Sequence, residues 1–526
     1  MSMLTVIEGG RLVFAEAVLE SIRKRWMLLF LMAIAIVVSS YNMFGFPMFH
    51  GDEGIYTQQA YAVAHLGRLS YYTYFYDHAP IGWIQIALWY KLTGLYTFGE
   101  LLNSTRVFML VIHGVSLILL FQIVLTITNN RACAALGGLI YALSPLSIFF
   151  GRIGLLDNIM MVWLLAAIYL LVNCRGQLLY ACASGACFGI AVLCKVVAIP
   201  LLPAFLLGIW VYFPNRRKFA YACWLLPSIS LISGYFLFAL FKDELFPSPD
   251  RVSLLRSIAW QSARKGGLPW SMDSDFAKSV VNWLTKDAFL IVAGSLATLY
   301  NLFRHQHRFV ALTALFSVLA ISRGNQVFDF YIASIYPLLI INLAIVLKPV
   351  FTHPRAFFST CTTGMILAIL VVQLEAHAYV FSVDVNIIQR QAVAWVRSHV
   401  PPNAVIMIDD KLWTALHAPK DAQPYKNAHS HWKVARDPDI FRDLLKNDWR
   451  NIEYIVADIP MFDLFRIDQT NNFRDTTGLV IRPFAVEAFL NSFEVARFEA
   501  EKTGEENWLA ILRVNSSGTL LATPDS

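Results

Sequence analysis

Residues 81–98 read IGWIQIALWYKLTGLYTF, and whether this stretch crosses a membrane decides the topology of the whole chain. Lys91 sits in its middle, with Trp83, Trp89 and Tyr90 nearby, the composition of a helix lying along an interface. The rest of the chain supplies a test. Of 526 residues, 57% are hydrophobic and 15% charged, and the mean hydropathy is +0.54. A water-soluble fold cannot hide that much apolar surface, so the chain reads as an α-helical polytopic membrane protein. Apolar runs long enough to span occur near 26–44, 106–127, 132–150, 156–173, 178–197, 198–213, 219–241, 288–303, 309–321, 327–347 and 356–376. If 81–98 stays out of the bilayer, alternate connections collect the basic residues: Arg23-Lys24-Arg25, Arg131, Arg175, Arg216-Arg217-Lys218, Arg304 to Arg308, and Lys348 to Arg355. If it crosses, the loops at 216–218 and 304–308 change sides. The positive-inside rule therefore favours about 11 spans, a cytoplasmic N-terminus and an extracytoplasmic C-terminal region, as expected of a multi-pass protein of the plasma (inner) membrane.

The basic cluster ahead of Trp26–Phe44 marks a signal anchor, since no small-residue cleavage site follows it. Two domains are expected: a transmembrane domain, 1–378, with a long outer loop at 46–105, and a soluble α/β domain, 379–526. In the second, helices are expected at 387–399 and Asp439–Lys446, and strands at Ala404–Ile408, Tyr454–Ala457 and Trp508–Val514. Loop 242–287, with Trp260, Trp270 and Trp283, reads as an interfacial or lid element. The seven cysteines lie in or beside apolar runs without metal-ligand spacing and read as small core residues. The sequence contains no phosphate-binding glycine loop, no HExxH, no CxxC and no basic-aromatic pattern for nucleic acid.

The first outer loop carries the chemistry. Residues 46–83, FPMFHGDEGIYTQQAYAVAHLGRLSYYTYFYDHAPIGW, hold the acidic pairs Asp52-Glu53 and Asp77-His78 among many aromatic residues. Acids this close to a bilayer are costly unless they are paired or functional. Under the favoured topology Asp52, Glu53, Asp77, His78, Arg152, Asp157, Lys195, Arg323, Asp329 and Tyr331 all fall on the outer side. Carboxylates there supply a general base and cations stabilise a phosphate, a combination suited to moving a group from a lipid phosphate to a hydroxyl or amine. Each residue also has a structural alternative. Asp52 can cap a helix starting near Gly54, Arg152 can pair with Asp157, and Lys195 can snorkel. His78 can be an ordinary loop residue, and Asp329 and Tyr331 can end a helix. Asp409, Asp410 and Asp458 read as exposed strand ends.

Five segments in order resemble the membrane glycosyltransferases of the GT-C class, and within it the protein O-mannosyltransferase and lipid A aminoarabinose transferase group. HGDEGIYTQQA at 50–60 resembles the acidic motif of the first outer loop, and FYDHAPIGW at 75–83 its (His/Lys)-Pro-Pro segment, with Ala79 in place of the first proline. GRIGLLDNIM at 151–160, GIAVLCKVVAIPLLP at 189–203 and FDFYIASIYPLL at 328–339 resemble the later Arg/Asp, Lys and Tyr/Pro segments.

The resemblance implies a polyprenyl-phosphate-linked sugar donor and an inverting transfer to a lipid, glycan or protein acceptor in the cell envelope. It implies Asp52 as general base, Glu53 as its positioning neighbour, Lys195, Arg152 and His78 near the carrier phosphate, and Tyr331 hydrogen-bonded to it. Arg323 joins that set by topology alone, with Asp77, Asp157 and Asp329 in support. No metal cage is evident, and a divalent cation, if one is used, would sit at Asp52 and Glu53. The competing class is a lipid-linked-saccharide flippase, which should place its charges near mid-membrane in pseudo-symmetric halves.

Overall fold

The computed structural model describes residues 26–72, 76–248, 252–264, 266–324, 326–437, 439–470, 484–500 and 507–516. The Arg23–Arg25 cluster, Tyr74 and Phe75 lie outside them. Each apolar run carries a helix. Five are long and apolar enough to cross a membrane, six if the bent pair Arg131–Leu143 and Pro145–Gly151 is one span. The shorter apolar helices Trp26–Ser40, Leu156–Val172, Leu178–Cys194, Val196–Tyr212 and Arg308–Ile321 occupy the remaining runs. Stretch 81–98 forms a helix only over Ile81–Thr93, 13 residues, or about 20 Å, too short to span unaided.

Two helices break at a shared polar knot. The bend of 59° between Leu143 and Pro145 leaves Ser144 facing Asp287, where the long helix Asp275–Phe303 has a non-helical residue. Ser144 Oγ donates to Asp287 Oδ2 at 2.5 Å, Gln373 Nε2 donates to Oδ1 at 3.1 Å, and the Leu290 amide donates to Oδ1 at 2.9 Å. A carboxylate in apolar surroundings needs several donors, and the break supplies them. The expected span 288–303 is the part of helix Asp275–Phe303 that follows the break at Asp287, and the part before the break lies inside the stretch expected to be loop.

The C-terminal domain is an α/β unit with sheet order β2-β1-β3-β5-β4. Its strands are β1 (Ile406–Ile408), β2 (Ala428–Ser430), β3 (Tyr454–Asp458), β4 (Ser492–Glu499) and β5 (Trp508–Val514). β1 runs parallel to β2 and β3, while β5 is antiparallel to β3 and β4. The expected helix at 387–399 is present as Ile387–His399. The expected helix Asp439–Lys446 is a π-type turn over Asp439–Leu444. β2 and β4 were not anticipated. The carboxyl ends of β1 and β3 carry Asp409, Asp410 and Asp458, and this edge meets the membrane domain. These acids are buried, contrary to the expectation of exposed strand ends: Lys411 pairs with Asp458, and Ser430 donates to Asp410.

Candidate active site

The loop after the first helix folds into a short helix, Gly51–Tyr61, capped by His50, whose Nδ1 accepts from the Asp52 amide at 3.2 Å. The spacing of its residues sorts them onto distinct faces. Asp52 and Tyr56 share one, with Tyr56 Oη donating to Asp52 Oδ2 at 3.4 Å. Glu53 and Thr57 share another, against helix Leu101–Thr128: Arg106 donates to both Glu53 oxygens at 2.8 and 3.0 Å, and Thr57 and Thr105 hydroxyls are 3.1 Å apart. Glu53 Oε1 also accepts from the Gly154 amide at 3.0 Å. A Cβ at Gly154 would lie 2.6 Å from Thr105 Cγ2 and 3.0 Å from Glu53 Cγ, so this close approach requires glycine.

Around the half-buried Asp52 stand groups from distant segments. Asp157 begins helix Leu156–Val172, and Lys195 follows helix Leu178–Cys194 at the same membrane face, with Lys195 Nζ 2.6 Å from Asp157 Oδ2. The same ammonium lies 4.6 Å from the Tyr331 ring centroid and 5.1 Å from that of Phe330, within cation–π reach. His78 packs against Tyr56 with ring centroids 5.7 Å apart, and Tyr235 Oη holds its carbonyl at 3.1 Å. Asp77 belongs to the same electrostatic group: burial, opposed by backbone hydrogen bonding at His78 and reinforced by Asp52, pushes its carboxyl up to about 6. Burial, together with the charge of Lys195, holds the His78 imidazole down at about 3, so it is neutral at pH 7.

Loop 242–287 adds a residue that the sequence did not single out. Arg264 follows helix Leu254–Ala263, stacks 3.7 Å from the Trp260 ring centroid, and lies in the field of Tyr331, Asp52, Asp77 and Tyr56. Among the described residues no carboxylate pairs with it, whereas Lys195 is matched by Asp157. Its available signal was a basic, tryptophan-containing tract, 251–272, with no acid. Just beyond it, Leu268, Trp270 and Met272 are exposed, Trp270 to 79%.

Asp52, Asp77, His78, Asp157, Lys195 and Tyr331 thus come together, and other expected members do not. Arg152 is buried and donates to the carbonyls of Val38, Tyr41 and Phe46 at 3.2, 3.2 and 3.4 Å, bracing the exit of the first helix. The suggested Arg152–Asp157 pair is replaced by Lys195–Asp157. Asp329 anchors helix Asp275–Phe303: its carbonyl accepts from Trp283 Nε1 at 2.7 Å and its carboxylate from Asn282. Arg323 is exposed beside Gly324, whose carbonyl accepts from the Gly266 amide at 2.8 Å. Both Glu53 oxygens are engaged, by Arg106 and by the Gly154 amide, and among the described residues no three His, Cys, Asp or Glu side chains are grouped to hold a metal ion.

The C-terminal domain closes the third face of the loop helix. Gln58 Nε2 donates to Asp410 Oδ1 at 2.7 Å, and Lys433 Nζ donates to Gln58 Oε1 at 3.4 Å. Tyr71 packs edge-on to His417 at 4.3 Å and Tyr72 to His429 at 5.1 Å.

Residues 77–239 match the dolichyl-phosphate-mannose-protein mannosyltransferase family, a span that includes Asp77, His78, Asp157 and Lys195 but not Asp52. No curated protein matches the chain by sequence. Among solved structures, ArnT from Cupriavidus metallidurans bound to undecaprenyl phosphate superposes with a TM-score of 0.55 at 14% identity, over 92% of this chain and 97% of that one. Apo ArnT gives 0.57 at 14% identity, over 93% and 98%. The archaeal oligosaccharyltransferase AglB from Archaeoglobus fulgidus, in complex with an inhibitory peptide and a dolichol-phosphate, gives 0.54 at 12% identity, over 92% and 74%. The chain is an integral multi-pass membrane protein of the GT-C fold class, resembling ArnT and the protein mannosyltransferases.

Proposed function

We propose that this protein transfers a sugar from a polyprenyl-phosphate donor to a hydroxyl or amine acceptor on the extracytoplasmic face of the membrane, with inversion. One observation carries the reading: a half-buried carboxylate, Asp52, hydrogen-bonded to Tyr56, whose ring packs on His78, shares one end of the helical bundle with the Lys195 ammonium on the Tyr331 ring, and Arg264 lies in its field. In the proposed step Asp52 takes the acceptor proton as the acceptor oxygen or nitrogen bonds to the anomeric carbon. The bond from that carbon to the phosphate oxygen breaks from the opposite side, and its electron pair leaves with the polyprenyl phosphate. Arg264 and Lys195 stabilise that growing negative charge in a partly dry site, where charges interact more strongly than in water. Neutral His78 and Tyr331 supply hydrogen bonds. The ligands of ArnT and AglB, undecaprenyl phosphate and a dolichol-phosphate, support a lipid phosphate as the carrier, and the basic loops on the opposite membrane face support the orientation.

The test is turnover by purified protein with a panel of polyprenyl-phosphate sugars, read as released carrier phosphate. At least one donor is expected to turn over, and Asp52→Asn to abolish turnover while leaving donor binding near wild type. Full turnover by Asp52→Asn would refute the assignment of the base.

A further inference from the structure

The loop helix that presents Asp52 is 11 residues long, and isolated helices of that length are marginal in water. Its position therefore comes from what it packs against. The Glu53–Thr57 face is held by the membrane domain, and the Gly54–Gln58–Tyr61 face by the C-terminal domain. The second contact is close and specific. A Cβ on Gly54 would lie 2.4 Å from the backbone carbon and oxygen of Asp410, so the helix touches the start of helix Asp410–His417 directly. Both ends of the buried Gln58 amide are used by the other domain, through Asp410 and Lys433. Asp410 is itself held, accepting from Ser430 and from Trp432 Nε1 at 2.6 Å. Tyr61 lies edge-on to Trp413 with ring centroids 5.9 Å apart. Lys433 also reaches electrostatically into the site, where Asp77 feels its charge.

We propose that the C-terminal domain is a working part of the catalytic site, in which Gln58, Asp410 and Lys433 are positioning residues that fix the loop helix and so the place of Asp52. The proposal rests on the reading of Asp52 as the base. Gln58 and Asp52 are six residues apart on one rigid helix, or about 9 Å, so a tilt at the Gln58 end displaces the carboxylate at the other. A misplacement of about 1 Å is enough to slow a reaction by about 10²-fold.

The experiment uses the full-length protein in lipid nanodiscs, with the donor that wild type turns over. Gln58→Glu sets a second carboxylate against that of Asp410. It is expected to lower kcat by about 10-fold or more, leave donor Kd unchanged, and speed amide exchange across residues 51–61. Adding Asp410→Asn gives the introduced carboxylate a donor again while Lys433 keeps its acceptor, and kcat and exchange are expected to return towards wild type. Where Gln58→Glu fails to fold, Gln58→Met removes the same two bonds without adding charge. Wild-type kcat and exchange in the Gln58 variants, beside an inactive Asp52→Asn, would overturn this proposal alone. A wild-type protein that turns over no donor, or an active Asp52→Asn, would overturn the reading of Asp52 and the catalytic role of the C-terminal domain with it.

Discussion

Glu53 and Arg106, 53 residues apart in sequence, form a two-armed ion pair at 2.8 and 3.0 Å with neither side chain exposed to solvent. The neighbouring Asp52 keeps a half-exposed carboxylate whose described side-chain partner is Tyr56. Adjacent acids have therefore divided the work, one fastening the helix and the other facing the site.

That division predicts opposite phenotypes. Arg106→Ala leaves a buried, uncompensated carboxylate and is expected to cost about 3–5 kcal/mol, read as lost thermal stability in detergent. Glu53→Gln should lower the melting temperature as well, because it strands the guanidinium. Asp52→Asn should melt near wild type and lose turnover. A fully stable Glu53→Gln would show that the ion pair does not hold the helix.

Arg264, unlike Lys195, has no carboxylate partner among the described residues, so it should matter most to the leaving phosphate. Arg264→Gln is expected to lower kcat/KM by about 10²-fold, the usual scale for removing one stabilising donor, and Arg264→Lys to recover part of it. Equal activities in wild type and Arg264→Gln would remove loop 242–287 from the chemistry.

The interdomain contact should weaken in acid. Burial, with Lys433 nearby, holds His417 down at about 4, and burial with His417 and Lys433 holds His429 at about 3, against 6.5 when exposed. Both imidazoles are neutral in the folded protein at pH 7, and the unfolded chain binds more protons below about 6.5. Stability is therefore complete above pH 6.5 and falls as the pH drops towards the folded values, by about 2 kcal/mol per histidine at pH 5. Melting curves from pH 7.5 to 5 should show the decline, and His417→Asn with His429→Asn should flatten it.

The proposed chemistry assigns the carrier phosphate to side chains alone, and turnover is expected to survive EDTA. Complete loss on chelation, restored by Mg²⁺ or Mn²⁺, would place a metal ion at Asp52.

The helices of the membrane domain were legible because hydropathy reports burial in lipid along the chain, one run at a time. Sidedness, read from the basic loops, put Asp52, Asp77, His78, Asp157, Lys195 and Tyr331 together, and it put Arg152, Arg323 and Asp329 with them, which the structure does not. Partner choice was not legible in the same way. Arg152 and Lys195 are both cations at span ends, and only packing directs one to the carbonyls of Val38, Tyr41 and Phe46 and the other to Asp157. Arg106 opens the apolar run 106–127 and was not singled out, because nothing along the chain shows that Glu53 packs beside it. β2 is a three-residue strand, Ala-His-Ser, without the β-branched residues that mark a strand, and its pairing with β1 is set by the fold around it.

The exposed Leu268, Trp270 and Met272 sit a few residues beyond Arg264, on the segment leading into helix Asp275–Phe303. On the proposed topology, apolar side chains so placed meet acyl chains and headgroups, a boundary that tryptophan favours. The local lipid then becomes part of the loop's folding environment, and the guanidinium is set at a depth measured from the bilayer surface. Rates should accordingly follow donor per unit of membrane area, and diluting the same donor with inert lipid should slow the protein at constant bulk concentration.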